Sequence, residues 1–161
     1  MKKSAALIIL LMVSFVVLVS CGKVDDIDIS EYKDSEIIFS GLTDKEKIMT
    51  VEELKELECV TVETESTSDK IGTVRATGPL LSTLVESYGH SLKDFSKIVI
   101  YATDDYDIKL DREFLSENDI ILAFGIDGEP LAEDVRPVRI IIPESDSAYW
   151  IRMVSKIEFV K

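Results

Sequence analysis

Apolar positions follow two patterns along this chain. From Ala5 to Val19 they run almost unbroken, interrupted only by Ser14. From about residue 40 onward they form short runs separated by polar turns, the texture of a folded domain. KEKIMTV (45–51) contains a first strand. Thr50 and Glu53 then make a capping box that opens a helix over Val51–Leu57. Cys59–Glu65 alternates as CVTVETE and predicts a strand, TESTSDKIG (64–72) a polar loop, and Ile71–Ala76 the returning strand of a hairpin. Thr77–Leu80 is expected to turn the chain into a helix with Leu80, Leu81, Leu84 and Val85 on one face, ended by Gly89. Strands are predicted at Lys97–Ala102 and Tyr106–Leu110, and one helical turn at Asp111–Leu115. The stretch from Asp119 to Pro143 has the most specific pattern. Its apolar runs Ile120–Ile126 and Val138–Ile142 predict two core strands. Between them Asp127-Gly128 marks a tight turn, because both residue types tolerate positive φ. Trp150–Ile151 and Ile157–Val160 complete the strand set. Strands outnumber the short helices interleaved with them, which predicts an α+β domain with a mixed β-sheet over residues 41–161.

The N-terminal pattern is of another kind. Lys2 and Lys3 precede the apolar run, and Leu18-Val19-Ser20-Cys21 follows it. Positive residues, an apolar core shorter than a membrane span of ~20 residues and a small residue before Cys match a bacterial lipoprotein signal peptide. Residues 1–20 are then removed and Cys21 is the lipidated mature N-terminus, anchored in the cell membrane on its extracytoplasmic face. Residues 21–40, acidic and without sustained periodicity, are expected to be a tether, with Ile37–Phe39 a candidate strand start.

Charge narrows the partners. The 161 residues carry 18 Lys and Arg against 31 Asp and Glu, a formal net charge of −13. Loss of Lys2 and Lys3 leaves 16 − 31 = −15. Nucleic acid and anionic lipid both require basic patches, so neither is an expected electrostatic partner.

Candidate chemistry is sparse. With Cys21 at the processing site, Cys59 has no partner for an intramolecular disulfide. Its neighbours Glu58 and Glu63 disfavour a thiolate, so Cys59 is read as a half-buried strand residue. His90, the one histidine, has no Cys or His partner nearby and is read as an exposed loop residue. Asp104, Asp105, Asp107 and Asp111 cluster as hard-cation ligands do, but not at Ca²⁺-loop spacing. A solvated hairpin turn is favoured for them.

The order of these segments resembles the molybdopterin-binding oxidoreductase domain of sulfite oxidases and related reductases. MTVEELKEL resembles that family's opening helix, and ATGPLLSTLVESYG its Gly-Val-Pro-Leu turn and following helix. IVIYATDDYDIKL resembles its strand–turn–strand, with Asp105 where Gly is usual. DIILAFGIDGEPL, RPVRIIIP and SAYWIRMVSKIEF resemble its later segments in order, with Asp127 in place of Asn. The resemblance implies the family fold and a cofactor pocket near Arg136 and Arg139. An Arg there holds an anion bidentately, and Arg75 is a candidate to join them. The competing reading pairs these arginines with acids such as Glu133 and Asp134, and it is the favoured one.

One departure bears on activity. The family holds molybdenum through a Cys thiolate in the loop after the early strand, and here that loop, TESTSDKIG, has no Cys. The expected function is therefore a non-catalytic binding or interaction module on a molybdopterin-domain scaffold, with no cofactor and with a protein of a membrane complex as a possible partner. The alternative is a molybdopterin-dependent oxidoreductase. The Lys-Lys leader without a twin arginine favours the first, because the chain then crosses the membrane unfolded and empty.

Overall fold

The computed structural model describes residues 27–68 and 71–161. The expected signal peptide and Cys21 lie outside the described residues. No helix among the described residues is long and apolar enough to cross a membrane.

Strands β1 (Glu36–Ser40) and β2 (Lys47–Thr50) form an antiparallel pair at one edge of the larger sheet. Helix α1 (Val51–Lys55) follows at once, held by the expected capping box. Thr50 Oγ1 accepts from Glu53 N at 3.2 Å, and Glu53 Oε2 accepts from Thr50 N at 2.8 Å. Strands β3 (Cys59–Thr64) and β4 (Val74–Pro79) make the predicted hairpin. Helix α2 (Leu81–Ser87) buries Leu81, Leu84 and Val85 and ends at Gly89, whose φ is +78°. Strands β5 (Lys97–Ala102) and β6 (Asp107–Asp111) pair antiparallel, and helix α3 (Arg112–Glu117) starts where Asp111 Oδ1 accepts from Phe114 N. Strands β7 (Ile121–Ala123), β8 (Gly125–Ile126), β9 (Glu129–Pro130), β10 (Arg139–Ile141) and β11 (Val154–Val160) complete the set.

These strands form three sheets. The largest has the order β2-β1-β11-β5-β6, with β1 and β11 parallel and the other pairs antiparallel. A second has the order β3-β4-β8-β9, and β7 pairs with β10 in a two-stranded third. Mixed sheets with a few short helices make this an α+β fold, as the alternation predicted. The core runs between the sheets through Phe39, Phe95, Phe124, Leu54, Leu84 and Ile100. The two runs expected as core strands, 120–126 and 138–142, are fully buried along most of their length and meet in the β7–β10 pair.

Four expectations require correction. The stretch expected as a tether is part of the domain from Ile27 onward. Ile27, Ile29 and Tyr32 are in the core, and β1 is an interior strand of the largest sheet. Tyr32 anchors this segment. Its hydroxyl donates to Phe124 O at 2.5 Å and accepts from Leu131 N at 3.0 Å, deep in the fold. Local acidity hid the alternation of Ile27 and Ile29.

Thr77–Pro79 is strand where a turn was expected. Gly78 allows it, because a Cβ there would lie 2.1 Å from Leu122 O, and β4 can therefore run against β7. The run 120–126 is two strands. At Phe124, whose N donates to Thr77 O at 3.0 Å, the chain leaves β10 and joins β4. Trp150–Ile151 follows a 3-10 turn at Ser147–Tyr149 and is not a strand. The Trp150 indole N–H donates to Ile142 O at 2.8 Å, so the ring closes the β10–β11 loop from within.

Candidate functional site

The three candidate arginines lie on different elements and have different surroundings. Arg75, on β4, is exposed. Its backbone N–H donates to Asp127 Oδ1, and its O accepts from Asp127 N, both at 2.8 Å. This clips the Asp127-Gly128 turn, in which φ is +56° and +85°, so the turn has the predicted positive-φ geometry. Arg136 precedes a cis-proline and is occupied by the fold. It forms an ion pair with Glu31 at 2.6 Å, its Nε donates to Leu131 O at 2.7 Å, and its guanidinium lies 4.7 Å from the Tyr32 ring centroid. The pairing partner is thus an acid of the N-terminal segment, where Glu133 or Asp134 was expected.

Arg139, on β10, differs from both. Its Nε is buried and has no hydrogen-bond partner. The guanidinium stands 5.9 Å from the Trp150 ring centroid. Burial holds its pKa below the ordinary guanidinium value. The like charge of Arg152 adds to this, and Asp134 partly opposes it. Asp134 itself pairs with Arg152 at 3.8 Å. Sequence reasoning missed Arg152, because only the β10–β11 loop brings it beside Arg139. Four cavities of the described residues have none of Arg75, Arg136 and Arg139 on their walls. One cavity of about 290 Å³ lies elsewhere, between α2 and α3, with Ser82, Arg112 and Asn118 on its walls.

The loop after β3 is tied to the loop after β10. Thr67 N donates to Ser145 O at 3.0 Å, and Glu144 N to Thr64 Oγ1 at 3.1 Å. The hydroxyls of Ser66 and Ser68 are 3.1 Å apart, and those of Ser68 and Ser147 are 2.6 Å apart. Neutral hydroxyls are hard donors of high pKa and do not replace a soft thiolate.

Cys59 does not supply one either. It stands at the start of β3, half-buried, with Sγ 3.3 Å from Leu57 O. Burial pushes its thiol up to about 11, with Lys55 pulling weakly the other way. The expected half-buried strand cysteine is found, but burial is the cause of its inertness rather than Glu58 and Glu63.

His90 is half-buried rather than exposed, edge-on to Phe95 at 5.8 Å and 3.8 Å from Asp94. The aspartates act within the hairpin. Asp104 accepts from Tyr106 N, Asp107 lies 4.0 Å from Lys109, and Asp111 caps α3. Asp105 has a φ of +66°, which explains why Gly would suit its position.

Fold and donors together define a mixed-sheet domain of molybdopterin-oxidoreductase type in which the described residues do not fit a thiolate-held molybdenum. The chain belongs to the oxidoreductase molybdopterin binding domain family, whose model matches residues 22–161. Among solved structures it is similar to the sulfane dehydrogenase SoxCD from Paracoccus pantotrophus, at 20% identity and a TM-score of 0.67. The match covers 80% of this chain and 38% of that one, so this chain spans well under half of that protein, and the likeness is one of fold. No curated protein matches.

Proposed function

We propose that this is a membrane-anchored extracytoplasmic lipoprotein whose molybdopterin-type domain works as a non-catalytic binding or interaction module. The observation that carries this reading is the donor set. The β3–β4 loop offers Ser66 and Ser68 hydroxyls that already bond the opposite loop, and the thiol of Cys59 is pushed up to about 11 elsewhere. Anchoring is supported by Cys21 at the end of a lipoprotein-type leader.

Within the module, Arg139 is the anion contact. Arg139 and Arg152 carry like charges beside one another, and an anionic group bridging the two guanidiniums would offset them. Arg136 positions the N-terminal segment and is not part of this contact, and Arg75 supports the neighbouring turn. Titration of the lipidated protein with inorganic pyrophosphate tests the contact. Binding that falls at least tenfold in Arg139→Gln and is kept in Arg75→Gln supports it. Equal binding by Arg139→Gln contradicts it. Family membership favours the second reading, a molybdopterin-dependent oxidoreductase, which requires molybdenum in the protein as isolated.

A further inference from the structure

If Cys21 carries lipid, as proposed above, the distance between bilayer and domain is set by how little chain remains between them. Only Gly22–Asp26 separate Cys21 from Ile27. Ile27 is already in the core, 4% exposed. Its carbonyl accepts from Lys55 Nζ at 3.0 Å. Its Cδ1 lies where a Cβ on Gly125 would clash, at 2.5 Å, and Glu129 O is 3.2 Å from that same point. Chain length then limits Cys21 to within about 20 Å of Ile27, whatever path the intervening residues take.

We propose that the domain is held on a short leash against the lipid headgroups, with the surface around Ile27 facing the membrane. That surface comprises Asp28, Lys55, the Asp127-Gly128 turn and Glu129. It is polar and carries both signs of charge, and the processed chain stands at 16 − 31 = −15. The covalent leash, rather than electrostatic attraction, therefore keeps it at the bilayer. The far side is also defined. Lys55 ends α1, which follows β2 directly, and β2 and β6 are opposite edges of the five-stranded sheet. Four strand spacings place β6 about 19 Å beyond β2. Lys109, on β6, thus lies on the sheet edge opposite the one that leads into α1 and Lys55.

The test uses the full acylated chain in phosphatidylcholine vesicles containing a headgroup spin-labelled lipid. A fluorophore is placed at pH 7 on Glu129→Cys or on Lys109→Cys, both exposed positions. Cys59, its thiol pushed up to about 11, does not compete for the label. The expected result is quenching at Glu129→Cys at least threefold greater than at Lys109→Cys. Inserting twenty Gly and Ser residues (about 20, enough to slacken the leash) after Gly22 should abolish the difference. Equal quenching at the two positions, or a difference that survives the insertion, overturns the leash. An unacylated Cys21, read by mass spectrometry of the same preparation, overturns the anchor and the leash together.

Discussion

At the residue scale, burial sets the chemistry of Cys59 and Arg139. Cys59 shows it. The sequence displayed the acids beside it, but not the β3 packing that desolvates it, so its inertness was legible and the cause was not. With the thiol pushed up to about 11, the thiolate fraction at pH 8 is on the order of one in a thousand. Alkylation of the folded protein at pH 8 should run at least tenfold slower than in the unfolded chain and accelerate steadily towards pH 11. Equal rates would contradict this environment. The raised thiol pKa also favours the folded state below the ordinary thiol range. That contribution should be lost as pH rises from about 9 to about 11. Asp105 is the opposite case, a residue whose strain the sequence signalled because Gly is usual at its position. Its φ of +66° is a conformation that L residues adopt at a cost. Asp105→Gly should leave the fold unchanged and raise the unfolding free energy by about 0.5–1 kcal/mol, measured by urea denaturation. A loss of stability would mean that the Asp105 side chain makes a contribution beyond its backbone.

At the element scale, local signals read well and long-range ones did not. The Thr50–Glu53 box, the β3–β4 hairpin and the Asp127-Gly128 turn are each written within a few residues, and each was legible. The strand extension through Pro79 and the break at Phe124 depend on Gly78 meeting Leu122, a contact between segments far apart in sequence. The N-terminal segment was misread for the same reason. Its acids suggested solvent, while Tyr32 reaches Phe124 and Leu131 across the fold. Tyr32→Phe keeps the ring but leaves Phe124 O and Leu131 N–H without that partner in a buried site. It should cost about 2–3 kcal/mol in unfolding free energy, read from denaturant midpoints at unchanged slope. A change of a few tenths would show that this segment is not anchored as described. The candidate arginines divide along the same line. Arg136 and Arg139 are near in sequence, yet one is engaged by Glu31 and the other stands beside Arg152, and neither environment is local.

At the scale of the whole molecule, the chain has its family's fold, and its β3–β4 loop carries hydroxyls and no thiol. The fold was legible because six segments occur in family order, each tied to a core strand, a cap or a turn. The site was legible only in part: a missing Cys can be read directly, whereas the hydroxyl ties from Ser66 and Ser68, and the backbone tie from Thr67, to Ser145 and Ser147 need the two loops side by side. The proposal of a module without molybdenum rests on that donor set. Elemental analysis of the protein purified from its native cells, grown so that they make the cofactor, decides it. Molybdenum should be far below one atom per chain, about a tenth or less if the loop cannot hold the metal through a soft ligand. One molybdenum per chain would contradict the non-catalytic reading and make this an oxidoreductase with a ligand set of another kind.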